Sequence, residues 1–218
     1  MRTHLTVMIN DTCFCLIIEV LFCLFIGPTS SGKSVICKKL IENAAKFMDI
    51  LPVEVLFNYG AWQSSYENIS SPFPIRFAEG LTKIDDLPKD GQHRLWVIDD
   101  LMGEAAKSSE VADLFTKFSH HLNYSVVILC QNLFEKGKYF RTISLNVQYL
   151  FLLKTVRDTS IISTLGKQMG DVSFLKQCYS RATNIPYGHL FIDLKPGSDD
   201  KYRVRAQIFD DPIIVFIK

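Results

Sequence analysis

One stretch of the sequence has the residue types and spacing of a loop that wraps phosphate groups. It fits the pattern G-x-x-x-x-G-K-[ST] and consists of Gly27, Pro28, Thr29, Ser30, Ser31, Gly32, Lys33 and Ser34. In such a loop, backbone N–H groups approach the phosphates and the following helix points its positive end at them. We expect Lys33 to meet the β- and γ-phosphates of ATP and Ser34 to hold Mg²⁺. The alternative is an ordinary Gly/Ser turn before a helix, but the apolar run at residues 21–26 favours the phosphate loop.

Two carboxylates follow a second apolar run, at residues 94–98. If this run is a buried strand, Asp99 at its end can reach Mg²⁺ directly or through water, which completes the cation site that Ser34 begins. The neighbouring Asp100 is our candidate for the group that orients or deprotonates an attacking water. The alternative for both residues is a solvated strand end.

Other polar side chains are candidates for contacts with the γ-phosphate. Gln131 follows an apolar strand at residues 125–130 and is predicted to sense the γ-phosphate or position water, with a strand-capping amide as the alternative. Arg141 is our first candidate for an arginine finger that reaches a neighbouring subunit, and Arg157 is the second. Either arginine would otherwise contact solvent or a DNA phosphate. The adjacent pair His120 and His121 points in different directions on a helix, which favours packing or surface roles over metal binding.

Strands alternate with helices along the chain, which predicts an α/β fold with a mainly parallel central sheet flanked by helices and a C-terminal β-hairpin. We expect strands at residues 21–26, 53–59, 73–77, 94–98, 125–130 and 149–153, and a pairing of residues 189–194 with 202–208. Helices are expected at residues 35–48 and 111–122, with one or two more at 159–182. There is room for an additional strand between the phosphate loop and the Asp99 strand. That arrangement is typical of ring-forming ATP-hydrolysing proteins rather than small-molecule kinases.

Length and composition favour one domain, because 218 residues are enough for one sizeable core. We divide the chain into an irregular N-terminal extension (residues 1–20), an ATPase domain (21–212) and a C-terminal tail (213–218). The net charge of +1 neither supports nor excludes DNA binding. Six cysteines without a C-x-x-C pair suit reduced thiols in an intracellular protein. The apolar run at residues 13–26 contains Glu19 and is too short for a stable membrane span, and a signal peptide would require cleavage beside the loop.

The order of eight short motifs resembles a known family. The motifs lie at residues 57–63 (FNYGAWQ), 77–81 (FAEGL), 96–102 (WVIDDLM), 114–116 (LFT), 119–121 (SHH), 131–134 (QNLF), 141–146 (RTISLN) and 186–188 (PYG). Together they look like the DNA-packaging ATPase of Maverick/Polinton elements and adintovirus-like viruses, which is related to the poxvirus-type packaging ATPase in the FtsK/HerA superfamily. The resemblance covers residues 26–209. It departs from the family at Leu122, where a basic residue is expected, and at Cys130, where a small hydroxyl residue is usual.

This resemblance implies a RecA-like P-loop NTPase that works as a homo-oligomeric ring. Such a motor hydrolyses ATP with Mg²⁺ to drive double-stranded DNA into a preformed capsid, so capsid proteins are expected partners. It would act at a virus assembly site or in the host nucleus or cytoplasm, and Gln131 matches the family's polar sensor position. Two alternatives stay open: a nucleoside or nucleotide kinase, for which no clear lid is present, and a degenerate host-integrated copy that binds nucleotide without motor activity.

Overall fold

Strands in the described part of the chain form one mixed sheet. The computed structural model describes residues 5–9, 21–118, 122–133 and 137–218. The strands are β1 (Leu5–Ile9), β2 (Phe22–Ile26), β3 (Glu54–Tyr59), β4 (Ile75–Glu79), β5 (Arg94–Asp99), β6 (Tyr124–Cys130), β7 (Tyr149–Leu153), β8 (His189–Asp193), β9 (Val204–Ala206) and β10 (Ile213–Ile217). Their order across the sheet is β1-β10-β9-β8-β7-β2-β6-β5-β3-β4.

The sheet has a parallel part and an antiparallel part. Strands β2 to β7 pair in parallel, whereas β8, β9, β10 and β1 continue the sheet in antiparallel pairs. The α/β fold with its mainly parallel sheet is therefore confirmed, and β8 and β9 form the expected C-terminal hairpin. Residues 213–218 differ from expectation, because the predicted tail contains β10, which pairs with β9 and β1. Its apolar sequence IIVFI buries Val215 and Phe216, which an unpaired tail would leave in water.

Helices cover both faces of the sheet. They are α1 (Lys33–Glu42), α2 (Ala44–Phe47), α3 (Met102–Ala105), α4 (Ser109–Asp113), α5 (Phe140–Asn146), α6 (Ser160–Gln168) and α7 (Val172–Ala182). Short 3₁₀ turns lie at Ser64–Asn68, Ile84–Asp86 and Asp200–Tyr202, and a π-helical turn at Leu114–Phe118 follows α4. Among these described residues, no helix has the length and apolar character needed to cross a membrane.

Two predicted helices differ from the structure in detail. The helix expected at residues 35–48 ends at Asn43, whose backbone N–H and side-chain amide both donate to the carbonyl of Lys39, at 3.0 and 2.9 Å. This arrangement satisfies a carbonyl that the helix end would otherwise leave without a partner. The helix expected at residues 111–122 is instead α4 with the π-helical turn after it. His120 and His121 lie outside the described residues, so their predicted roles stay untested.

Alternating residues of the central strands point into two separate cores. From β2, Phe22, Leu24 and Ile26 enter the core that α3 to α7 cover, whereas Cys23 and Phe25 enter the core under α1 and α2. All five β2 residues are buried, as expected of a strand with helices on both faces. The carboxyl end of β2, where the phosphate loop begins, is therefore anchored on both sides. The four described cysteines, Cys23, Cys37, Cys130 and Cys178, are all buried.

Strand β6 separates the two strands that lead to the predicted site. It pairs in parallel with β2 on one side, where Ile26 faces Cys130, and with β5 on the other, where Asp99 faces Leu129. This is the additional strand that the sequence leaves room for. Because the three strands are parallel, their carboxyl ends bring the phosphate loop, Gln131 and Asp99 to one edge of the sheet.

The outermost strand on the β5 side is β4. Its Arg76 and Glu79 are exposed, and the Arg76 guanidinium lies 3.1 Å from Glu54 of β3. A hydrogen bond ties the residue after β4 to β3, because the Asn58 amide donates to the carbonyl of Gly80 at 2.7 Å. The edge of the sheet therefore carries charge along an otherwise half-buried strand.

Candidate functional site

The phosphate loop joins β2 to α1 with a tight turn. Gly32 has a φ of 102°, in the left-handed region that favours glycine. A Cβ at this position would lie 2.5 Å from Cδ1 of Tyr187, so the close approach of this ring also requires glycine. The backbone N–H of Gly27 donates to the carbonyl of Cys130 at 3.2 Å, which ties the start of the loop to the end of β6.

The amino end of α1 is suited to bind an anion. Gly32 caps this helix without a side-chain hydrogen bond, and no acidic residue lies in its first turn. The first N–H groups of a helix have no carbonyl partner within it, so the positive end of α1 stays open to a ligand. Within the loop, Ser31 Oγ is buried and has no hydrogen-bond partner among the described residues. A buried hydroxyl without a partner, beside a helix end whose N–H groups are also free to donate, fits a site that binds phosphate oxygens.

Lys33 lies across the loop. Its ammonium donates to the carbonyls of Gly27 at 2.7 Å and Pro28 at 3.0 Å. Burial lowers the pKa of Lys33, an effect that the negative charges of Asp99 and Asp100 oppose. The side chain is therefore held where a phosphate oxygen could replace a carbonyl oxygen as its acceptor.

Asp99 connects α1 to the end of β5. The hydroxyl of Ser34 donates to Asp99 Oδ2 at 3.1 Å, and the hydroxyl of Tyr66 donates to the same oxygen at 2.9 Å. Burial raises the pKa of Asp99, whereas the hydrogen bonds from Tyr66 and Ser34 and the charge of Lys33 lower it. Asp99 is 3% exposed. The carboxylate and the Ser34 hydroxyl supply adjacent oxygen atoms, the ligand type that Mg²⁺ prefers.

The Mg²⁺ site would be completed by the nucleotide and water. Among the described residues, no cluster of three or more His, Cys, Asp or Glu side chains could hold a metal by itself. Ser34 and Asp99 therefore fit a cation that keeps water and phosphate ligands, which is how Mg²⁺ usually binds beside a nucleotide.

A cavity of about 750 Å³ opens over these groups. Five phosphate-loop residues line it, together with Asp99, Asp100 and Gln131 from the ends of β5 and β6. Asp100 and Gln131 are exposed, and Asp100 has a left-handed φ of 57°. The structure thus brings these predicted residues to one cavity, while the roles given to them stay predictions.

Eight further residues on the cavity wall were not identified by sequence reasoning as site residues: Val35, Gln63, Ser65, Met102, Gly103, Leu129, Cys130 and Tyr187. Tyr66, which contacts Asp99 from beneath the cavity, was also missed as a functional residue. The only sequence signal for Tyr66 is its place in the segment that follows the carboxyl end of β3, where parallel sheets bind ligands. Tyr187 lies in the PYG motif, but far along the chain from the phosphate loop.

The two candidate arginine fingers occupy different positions. Arg141 is exposed at the second residue of α5 and lines neither the 750 Å³ cavity nor its smaller neighbour. Arg157 lines that smaller cavity, of about 280 Å³, whose wall also includes Gly27, Pro28 and Gln131. Within one chain, Arg157 is therefore placed beside the phosphate loop, and the assignment of Arg141 as a finger stays a prediction.

The fold and the loop together define the class of protein. A mainly parallel sheet with a phosphate loop between a central strand and its helix is the fold of P-loop NTPases. Solved structures share this fold, although the sequence matches no protein-family model and no curated protein.

Several of the similar structures are of viral packaging NTPases or ATPases. The genome packaging NTPase B204 from Sulfolobus turreted icosahedral virus 2 has a TM-score of 0.54 at 11% identity in complex with AMPPCP, and 0.53 at 10% identity with ATP-gammaS. In both cases the match covers 86% of this chain and 96% of B204. B204, the DNA-packaging ATPase from Sulfolobus turreted icosahedral virus, has a TM-score of 0.51 at 11% identity, over 84% of this chain and 95% of B204. At such low identity the similarity shows a shared fold.

Proposed function

We propose that this chain hydrolyses ATP with Mg²⁺ and uses the energy as a homo-oligomeric motor that packages double-stranded DNA. The observation that carries the hydrolase part is the hydrogen bond between Ser34 and Asp99, 3.1 Å long, at the wall of a cavity that Lys33 also lines. This arrangement supports a Mg²⁺ site beside the ammonium group of Lys33 that we propose binds phosphate, the combination that nucleotide hydrolysis uses.

Each candidate residue has a chemical task in this proposal. The N–H groups at the start of α1 and the Lys33 ammonium bind the phosphate oxygens and stabilise the charge that grows on them in the transition state. Ser34 and Asp99 would hold Mg²⁺, which would neutralise negative charge on the phosphates when bound. Gln131 orients a water, and Asp100 accepts its proton as the water oxygen bonds to the γ-phosphorus and the bond to ADP breaks.

The packaging part rests on different support. The ordered motifs resemble the packaging ATPases of Maverick/Polinton elements, and two of the structurally similar proteins are described as a genome packaging NTPase and a DNA-packaging ATPase. The position of β6 between β2 and β5 is also typical of ring-forming ATPases. In the proposed ring, Arg141 or Arg157 reaches the γ-phosphate held by a neighbouring copy. The ring binds capsid proteins as its partners.

The test measures ATP turnover by the purified chain with and without double-stranded DNA. We expect turnover that rises with DNA and falls at least about 100-fold in Lys33→Ala, because this change removes the positive charge that is proposed to stabilise the β- and γ-phosphates. Lys46→Ala is the matched control, since Lys46 is exposed on α2 and does not line the cavity. We expect this control to retain the parent's activity.

Other outcomes would contradict the proposal in distinguishable ways. Turnover that requires an added nucleoside acceptor would indicate a kinase. Nucleotide binding without turnover in an oligomeric sample would indicate a degenerate copy. Turnover that neither DNA nor Lys33→Ala changes would exclude both the motor and the assigned site.

A further inference from the structure

An exposed aromatic ring lies against the phosphate loop from a distant part of the chain. Tyr187 follows α7, yet its Cδ1 lies so close to Gly32 that a Cβ there would be only 2.5 Å away. The ring lines the same 750 Å³ cavity as Lys33 and Ser34, and the residue is 56% exposed. One part of the side chain therefore contacts the loop while much of it faces the cavity and solvent.

The backbone that presents this ring is held in an unfavourable conformation. Tyr187 has a φ of 55°, which costs a residue with a Cβ about 1–2 kcal/mol. The next residue, Gly188, approaches the end of α7 so closely that a Cβ would lie 2.4 Å from the carbonyl of Ala182. The N–H of Gly188 donates to the carbonyl of Ile185 at 3.0 Å. The turn is thus packed tightly, and its geometry directs Tyr187 towards the loop.

The chemistry of this wall suits an aromatic heterocycle. Exposed aromatic side chains bind nucleobases by stacking, which uses the flat faces of both rings. Here the ring lies beside the helix end that would bind the phosphates, so one ligand that carries both phosphates and a base can contact the two features together. A phosphate-only ligand would leave the exposed part of the Tyr187 ring uncovered.

We propose that Tyr187 binds the base of the nucleotide by stacking and so distinguishes a nucleoside triphosphate from an inorganic phosphate chain. This inference rests on the proposed function, because it assigns a second contact to the same ligand. Stacking uses a π-face that every base has, so the contact selects for the presence of a base more than for its identity.

The experiment compares two ligands on three proteins by calorimetric titration. The ligands are ATP and inorganic tripolyphosphate, each with Mg²⁺, and the proteins are the parent, Tyr187→Asn and Tyr187→Phe. Asparagine tolerates the left-handed backbone, so it removes the ring without adding strain, and phenylalanine keeps the ring. Ile185→Asn is the control, because it removes an exposed apolar side chain from the same turn.

We expect Tyr187→Asn to weaken ATP binding on the order of 10-fold and to leave tripolyphosphate binding unchanged. Tyr187→Phe and Ile185→Asn should bind both ligands as the parent does. Equal weakening of both ligands by Tyr187→Asn would show that the ring only supports the loop and would overturn the inference, as would no change for either ligand. If the parent binds neither ligand, the proposed function itself fails; if the parent binds both and the variants do not discriminate, only the role of Tyr187 fails.

Discussion

The hydroxyl of Tyr66 donates a hydrogen bond to Asp99 Oδ2 at 2.9 Å, and this oxygen also accepts from Ser34 at 3.1 Å. Three elements therefore meet at one carboxylate oxygen: the 3₁₀ turn Ser64–Asn68, the end of β5 and the first turn of α1. The ring of Tyr66 packs against Phe57 and Phe77, with centroids 4.8 and 6.1 Å away. Tyr66 is thus a positioning residue, which fixes the orientation of Asp99 from a rigid aromatic cluster.

Removal of the Tyr66 hydroxyl should weaken Mg²⁺ binding at the proposed site more than it lowers the stability of the fold. Tyr66→Phe keeps the ring and its packing but leaves Asp99 with one fewer donor, at a cost of about 1 kcal/mol. We expect ATP turnover at limiting Mg²⁺ to fall about 5-fold, and the fall to be recovered at saturating Mg²⁺. The measurement is turnover as a function of Mg²⁺ concentration.

Tyr149→Phe provides a matched control for this variant. The Tyr149 hydroxyl is buried on β7 and has no hydrogen-bond partner among the described residues, so its loss should be neutral or stabilising. An unchanged Mg²⁺ dependence in Tyr66→Phe would show that Tyr66 has only a packing role.

Gly32→Ala should abolish nucleotide binding. The added Cβ meets the ring of Tyr187 and the left-handed φ of 102° disfavours alanine, so the loop has to change its conformation. Gly80→Ala is the matched change, because Gly80 has a φ of 76° but nothing within 4 Å of an added Cβ. Both variants should lose about 1–2 kcal/mol of unfolding free energy from backbone strain. Only Gly32→Ala should lose affinity for ATP, and retention of affinity would contradict the loop geometry described above.

The two adjacent carboxylates should give different kinetic signatures. Asp99→Asn removes the charge of the proposed Mg²⁺ ligand, so we expect turnover to fall on the order of 100-fold and the half-saturating Mg²⁺ concentration to rise. Asp100→Asn removes the proposed proton acceptor, which should lower turnover about 100-fold or more without changing the Mg²⁺ dependence. Asparagine also tolerates the left-handed backbone at position 100. Identical Mg²⁺ profiles for both variants would contradict the division of roles.

His189 should make the folded state sensitive to acid. Burial lowers the pKa of His189 from 6.5 to about 4; the hydrogen bond with the Tyr187 backbone and the charge of Asp210 oppose this shift, whereas the charge of Lys39 adds to it. The His189 ring packs beside Phe151 and Phe209. Between these two pH values the unfolded chain binds a proton that the folded chain does not, so stability falls as the pH falls from about 6.5 towards 4. The loss from this group amounts to at most about 3 kcal/mol.

His189→Phe tests this effect, because phenylalanine fills the site and does not titrate. Urea unfolding at pH 7 and pH 4.5 should show a smaller decrease in unfolding free energy for the variant than for the parent. An equal decrease in both proteins would mean that other groups carry the acid sensitivity.

The parts of the site that lie at the end of a buried strand were predictable from the sequence. The phosphate loop follows β2 directly, and Asp99 and Gln131 follow buried strands, so local pattern and strand direction were enough to bring them to one edge. Tyr66 and Tyr187 could not be assigned in this way. Their contacts with Asp99 and Gly32 depend on how a turn and a distant loop pack on the sheet, which no local pattern encodes.

The ends of elements were less predictable than their presence. Asn43 ends α1 by binding the carbonyl of Lys39, although the apolar spacing continues beyond it. Residues 213–217 form β10 because β9 and β1 flank them, and β1 lies at the opposite end of the chain. Such long-range pairing decides whether a short apolar segment becomes a strand or a tail.

Strand β4 limits how copies of this chain can meet. A neutral, flat edge strand invites backbone pairing with a strand from another molecule, which leads to aggregation. The exposed Arg76 and Glu79 would have to give up water in such a pairing, so on this side the sheet resists growth by strand addition. A partner that binds on the β4 side would therefore contact side chains and loops and would not extend the sheet.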